Sequence, residues 1–245
     1  MLELQNITLS KRIEDVSLTL CKGECWHLLG KNGAGKSSLL GLMAGLLEPD
    51  KGKVSYQSQA LSDLSVAQYA QVRCYLQQLP QSEFDISIEQ LFAFYTPGQN
   101  IPDEIEHAFC LQPLMTKSLR HLSGGQQQRF HLARCLMQVW PSIVQGNAII
   151  LLDEPCQHLD IQYQANLLEL LKYCCTLNNI VVMSSHDVNQ SSRYTSHVAW
   201  IKAQRIIEHG EASTCFTLTN MQHTFDYRFS VIADGTSKQQ VYVAG

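Results

Sequence analysis

Val16, Leu18 and Leu20 alternate with polar neighbours in the two-residue period of a half-buried strand. Trp26 to Leu29 form a continuous apolar run. A periodic segment from Ser38 to Leu47 predicts a helix that ends near Glu48-Pro49-Asp50, with Lys51-Gly52 as a turn and Lys53 to Gln57 as a further strand. Ile88, Leu91, Phe92 and Tyr95 then recur at helical spacing, Pro97-Gly98 breaks the chain, and Ile105, Phe109 and Cys110 mark another helix. Ala148 to Leu152 is a short buried run suited to a parallel strand, followed by a helix over Ile161 to Leu177 and a second buried strand from Ile180 to Met183. Tyr227, Phe229 and Val231, the turn Asp234-Gly235, then Val241 and Val243 read as a terminal hairpin.

This alternation of strand and helix predicts an α/β fold with a parallel sheet covered on both faces. The expected organisation is one domain over 1–245, with a helical subdomain inserted at 81–140 and the hairpin at 226–244. A length of 245 residues, 45% hydrophobic and 16% charged, permits a sizeable core and argues against wholesale disorder. The net charge of −4, with no Lys/Arg block, gives no footing for nucleic acid as a partner. No apolar run is long enough for a membrane span, and Met1-Leu2-Glu3-Leu4-Gln5 does not read as a signal peptide, so a cytoplasmic protein is expected. The nine cysteines lack C-x-x-C pairs, which favours small core residues over a zinc site or disulfide framework.

Chemistry enters at Gly30-Lys31-Asn32-Gly33-Ala34-Gly35-Lys36-Ser37, which fits G-x-x-x-x-G-K-[ST] between an apolar strand and a helix. Glycines there let backbone N–H groups turn inward as an anion nest at a positive helix N-terminus. Gly30, Asn32, Gly33, Gly35, Lys36, Ser37 and Ser38 are therefore candidate phosphate-binding residues, with Lys36 on the outer phosphates and the Ser37 hydroxyl on magnesium. Leu122-Ser123-Gly124-Gly125-Gln126 is a second motif, whose Ser123 hydroxyl and Gly124 and Gly125 N–H groups would face an anion at a helix start.

Together, and in this order, these motifs resemble the ATP-binding subunit of ABC transporters, and the resemblance covers nearly the whole chain. It implies an ABC-type phosphate-loop nucleotide hydrolase fold with an antiparallel β subdomain and an inserted helical subdomain. It also implies ATP and Mg2+ as ligands, and two copies that sandwich two ATP molecules. Ser123, Gly124 and Gly125 would then serve the ATP of the opposite copy, and Leu159-Asp160 would cross between copies. Ile149 to Leu152 looks like the family's strand ending in two carboxylates, Asp153 helping to hold magnesium and Glu154 acting as general base on water. Gln78, beside Gln77, matches the glutamine that meets magnesium or water where the helical subdomain begins, and His186 matches the histidine that reaches the γ-phosphate. The stretch Leu9-Ser10-Lys11-Arg12-Ile13 lacks the family's adenine-stacking aromatic, leaving Arg12 as either a stacking guanidinium or a solvated charge.

Within the family, Tyr75-Leu76-Gln77-Gln78 and the long connection from Gln138 to Asn147 are similar to the ATPases of bacterial cobalamin importers. That implies a peripheral subunit on the cytoplasmic face of the inner membrane, docked on membrane-spanning permease subunits and served indirectly by a periplasmic binding protein. Phe84, Phe92, Phe94 and Tyr95 are candidates for the groove that receives a permease helix. ATPases of iron–siderophore or haem importers, and a soluble ABC ATPase that switches a cytoplasmic assembly complex, would share every ATP-site residue.

Overall fold

A computed structural model describes residues 1–77, 85–233 and 240–244. β1 (Leu2–Leu9) and β2 (Ile13–Leu20) pair antiparallel, and β3 (Cys25–Leu29) runs into the glycine loop and α1 (Lys36–Met43). β4 (Lys51–Tyr56) and β5 (Gln59–Ala60) complete a four-stranded antiparallel sheet of order β2-β1-β4-β5. α2 (Val66–Ala70) leads to β6 (Arg73–Leu76). The helical stretch follows, with α3 (Ile88–Tyr95), α4 (Asp103–Phe109), α5 (Gly124–Gln138) and α6 (Trp140–Val144). β7 (Ile149–Leu152), α7 (Ile161–Thr176), β8 (Ile180–Ser185), α8 (Val188–Tyr194), β9 (His197–Lys202) and β10 (Arg205–Glu211) return the chain to a second sheet of order β10-β9-β3-β8-β7-β6. All its pairs are parallel except β10 with β9. α9 (Ala212–Cys215) and α10 (Leu218–Phe225) precede β11 (Phe229–Ala233) and β12 (Gln240–Ala244), which pair antiparallel with each other.

The apolar runs are buried on both faces because successive side chains of a strand point to opposite sides. Ile149 and Leu151 of β7 join Leu39, Leu40 and Met43 of α1, whereas Ile150 and Leu152 join Leu136 of α5 and Leu171 of α7. Each such fully buried side chain contributes about 1.5–3 kcal/mol of hydrophobic stabilisation. Phe92, Phe109 and Phe130 extend the second cluster, so the helical stretch shares a core with the sheet. One local device starts three helices. Ser65, Ser87 and Ser123 each cap with their side chain while Gln68, Gln90 and Gln126 reach back to the cap's N–H.

Several elements differ from the periodicity. The helix expected to reach Leu47 stops at Met43, because Gly45 turns to φ 66 and Leu46 N–H reaches back to the Gly41 carbonyl, a Schellman closure. Lys51-Gly52 is not a turn; both residues belong to β4, beside a shift in register against β1 between Gln5 and Thr8. Cys110 adopts φ 48 just beyond α4 and is exposed, so it ends that helix instead of facing the core. All nine thiols are free, and five of them are buried. Phe92 is core, packed edge-on to Phe130 at 5.1 Å, which removes it from any docking groove. Phe94 and Tyr95 are exposed; Gln78, Phe84 and the turn Asp234-Gly235 lie outside the described residues.

The strand pair β11–β12 is held by an amide clamp. Asn189 of α8 donates to the Tyr242 carbonyl at 2.9 Å and accepts from the Tyr242 N–H at 2.8 Å.

His27, in the centre of β3, is fully buried, and neither ring nitrogen finds a hydrogen-bond partner among the described residues. Burial drives its pKa from 6.5 to about 3. The native ring therefore stays neutral while the unfolded ring takes up a proton, so stability falls as pH drops through that interval. His27→Leu is expected to flatten this loss. Urea unfolding at pH 7 and pH 5 should give a smaller difference in the variant than in the wild type; equal differences would contradict the assignment.

Candidate nucleotide-binding site

β3, β7 and β8 are parallel neighbours, so their carboxyl ends share one edge of the sheet, where ligands of open α/β sheets bind. The glycine loop leaves β3 at that edge, Asp153 and Glu154 leave β7, and His186 leaves β8. A cleft of about 390 Å³ opens there. Lys11, Arg12, Asn32, Gly33, Gly35, Lys36, Ser37 and Ser38 line it together with Glu154 and Gln157.

The loop is tightly built. Gly35 sits at φ 114, and a Cβ there would lie 2.7 Å from the Arg12 carbonyl oxygen, so only glycine fits. This contact packs the β1–β2 turn against the loop and places Arg12 at the cleft's rim. Lys36 is buried, and its ammonium donates to the carbonyls of Gly30 at 2.7 Å and Lys31 at 3.1 Å. Burial draws its pKa down, opposed by the Glu154 and Asp153 carboxylates. A phosphate in the cleft would give this ammonium a stronger partner than two carbonyls.

The two carboxylates occupy different environments. Asp153 is buried and accepts a hydrogen bond from the Ser184 hydroxyl at 2.6 Å. The same hydroxyl oxygen accepts from the Glu154 N–H at 2.8 Å, so Ser184 pins both residues. Glu154 has φ 47, and its Oε2 accepts from the Gln157 amide. His186 Nδ1 lies 3.6 Å from that same Oε2 and is largely exposed. A smaller cavity of about 220 Å³, lined by Glu154, Gln157, Ser184, Ser185 and His186 among others, opens on this side. The Ser37 hydroxyl and the Asp153 carboxylate are hard oxygen donors of the kind that hold Mg2+ alongside substrate phosphates.

The predicted site thus falls into two groups. Asn32, Gly33, Gly35, Lys36, Ser37, Ser38 and Glu154 share the cleft, Gly30 and Asp153 lie behind it, and His186 flanks Glu154. Ser123, Gly124, Gly125 and Asp160 line neither cavity. Ser123 caps α5, and Asp160 caps α7 through its backbone alone. Gly125 is pressed against the backbone of His158, whose carbonyl oxygen would lie 2.6 Å from a Cβ. Gln128 of α5 also donates to the Pro155 carbonyl at 3.0 Å, so the start of α5 rests on the loop that follows Glu154.

Sequence reading missed Lys11, Gln157 and Ser184. The signal for Ser184 was present in principle, since two parallel strands in register place the residue after Leu152 beside the residue after Met183. Gln157 lies three residues beyond Glu154, a spacing that carries meaning only once the turn is known.

This fold and cleft define a phosphate-loop nucleotide hydrolase. The family model described as ABC transporter matches residues 13–157. The chain is 31% identical over 234 residues to the vitamin B12 import ATP-binding protein of Photobacterium profundum, covering 92% of each. It is 33% identical over 233 residues to the protein of the same description in Citrobacter koseri, covering 94% of this chain and 93% of that one. Among solved structures, an inward-facing putative metal-chelate type ABC transporter superposes with a TM-score of 0.77 at 24% identity, covering 100% of this chain and 96% of that one. A dimeric ATP-binding cassette in a post-hydrolysis state with ADP and Pi superposes at 0.70 with 22% identity, over 86% and 99%. The chain belongs to the ABC transporter family. It is an ATP-binding and ATP-hydrolysing subunit of an importer-type transporter, and no helix among the described residues is long and apolar enough to cross a membrane.

Ser184→Ala removes one hydroxyl and leaves both the Asp153 carboxylate and the Glu154 N–H short of a partner. The expected cost is about 1–3 kcal/mol of stability, read by denaturant unfolding, with a larger fall in kcat than rise in KM for ATP. Unchanged unfolding and turnover would remove Ser184 from the site.

Proposed function

We propose that this chain powers import of cobalamin, working as one of two identical ATPases beneath a pair of membrane-spanning permease subunits. The observation that carries the ATPase half of this reading is the single cleft in which Lys36, Ser37 and Glu154 face one another. Lys36 leaves its two carbonyls for the outer phosphates, and the Gly33 and Gly35 turns aim N–H groups at them. Ser37 and Asp153 would hold Mg2+, with Gln78 assigned to it by the family resemblance alone, and the ion would supply positive charge against the phosphates. Glu154 takes up the proton of the attacking water as general base, steadied by Gln157, while His186 donates an N–H to the γ-phosphate. Arg12, on the rim, stacks on the base.

Ser123, Gly124 and Gly125 stand apart from this cleft, which supports a site completed by a second copy. There they offer a hydroxyl and two N–H groups to the γ-phosphate held by the partner, and Asp160 crosses alongside them. ATP binding closes the pair and hydrolysis reopens it, so work on the permease comes from differential affinity for the two states. The cargo rests on the relatives, since both are described as vitamin B12 import ATP-binding proteins. The same reading places the chain on the cytoplasmic face of the bacterial inner membrane, with a periplasmic binding protein delivering cargo from the other side.

Glu154→Gln is expected to retain ATP binding, lose turnover by at least about 100-fold and accumulate as a closed dimer in gel filtration with ATP. Steady hydrolysis by this variant would reject Glu154 as base.

The transporter reading is tested by affinity capture of the tagged protein from detergent-extracted native membranes, followed by mass spectrometry. A co-eluting permease whose deletion abolishes labelled cobalamin uptake is the expected result. A permease whose loss affects only iron-chelate uptake would reassign the cargo, and purely soluble partners would overturn the importer reading.

A further inference from the structure

We propose that Asp226 is a positioning residue for the phosphate loop, acting through Lys31. Lys31 is the second residue of the loop, and its carbonyl accepts both the Lys36 ammonium at 3.1 Å and the Ala34 N–H at 3.1 Å. Its own side chain does not line the nucleotide cleft. Instead Lys31 Nζ lies 2.9 Å from Asp226 Oδ2, across 195 residues of chain. The other carboxylate oxygen of Asp226 takes the ammonium of Lys202, which also donates to the His223 carbonyl at 2.6 Å. One carboxylate at the end of α10 thus ties together the phosphate loop, β9 and its own helix.

Lys202 is well placed for this. It closes β9 just before the turn Ala203-Gln204, and Gln204 N–H donates to the Ala34 carbonyl at 3.2 Å. The Gln204 carbonyl in turn accepts from the Glu14 N–H at 2.8 Å. The loop is therefore braced from below by the β9–β10 turn and from the side by Asp226. A carboxylate just past a helix C-terminus is opposed by the helix dipole, and its place there is compensated by the two ammonium groups. Lys202 and then Lys31, by their hydrogen bonds, hold the Asp226 pKa down to about 2.

The role follows from where Lys31 sits. Fixing its side chain fixes the carbonyl that shares the Lys36 ammonium, and so the geometry from which Lys36 meets phosphate. The pair is exposed, and exposed pairs contribute little, so an effect of only about two- to fivefold on nucleotide affinity is expected. The end of α10 then becomes a part of the ATP site, although Asp226 does not line the cleft.

The test is a double-mutant cycle on the full chain with Lys31→Ala, Asp226→Ala and the pair combined. Dissociation constants for a fluorescent ATP analogue and KM for ATP are measured at low and high salt. Each single variant should weaken binding about two- to fivefold, the double variant no more than either, and the differences should shrink in high salt. Asp226→Glu should recover affinity, and kcat should move less than KM. Additive single effects, or affinities equal to the wild type in variants with unchanged melting, would overturn the proposal. It rests on the phosphate-loop reading, which has its own control: failure of the wild type to bind the analogue would remove both, whereas binding without coupling removes only the role of Asp226.

Discussion

Parallel hydrogen bonding between β3, β8 and β7 is the constraint on which the site depends. Evenly slanted bonds lock the strands in register from Cys25↔Val181 to Leu29↔Ser185 and from Ile149↔Ile180 to Leu152↔Met183. Because the strands run the same way, everything that follows them emerges at one edge. A loop of glycines, a pair of carboxylates and a histidine, far apart in sequence, become neighbours, with His186 Nδ1 3.6 Å from Glu154 Oε2. Ser184 adds the finishing link, since its hydroxyl can join Asp153 to the Glu154 backbone only in this register.

In the proposed head-to-tail pair, this arrangement would leave each chain with one half of two different sites. The glycine loop and Glu154 belong to the edge of the sheet, whereas Ser123 and the glycines after it belong to a helix start that faces neither cavity. Within one chain the two halves are nevertheless in mechanical contact. Gly125 lies against His158, and Gln128 holds Pro155, so the turn that carries Glu154 and the start of α5 cannot move independently. In the head-to-tail pair proposed above, a shift of that turn in one site would reach the helix start proposed to complete the other.

The family, the fold class and the enzymatic activity were legible in the sequence because they rest on contiguous signals. A phosphate loop between strand and helix, a capped Ser-Gly-Gly helix start and an apolar run ending in two acids each carry local chemistry. Features that depend on local geometry without periodicity were not legible. β1 has apolar Leu2, Leu4 and Ile7, but Asn6 at φ 49 and the accompanying register shift break the alternation that would have revealed it. The end of α1 at Met43 is set by one left-handed glycine inside a stretch that remains periodic to Leu47. Gln157 and Asp226 act through partners that only folding brings near, and no pattern along the chain marks them, whereas Ser184 is marked only once the register of β7 and β8 is known.

Glu154 holds a left-handed backbone conformation, φ 47, which costs a non-glycine residue about 1–2 kcal/mol. The fold accepts this cost, and the side chain is turned toward Gln157 and the nucleotide cleft. Glycine or asparagine would relax the same turn. A laboratory selection for thermostable variants of this protein would therefore enrich replacements at position 154, and would reward the loss of the very carboxylate proposed to do the chemistry. Melting temperature and usefulness part company at this residue, so any stability screen on the chain should be counter-selected for ATP turnover.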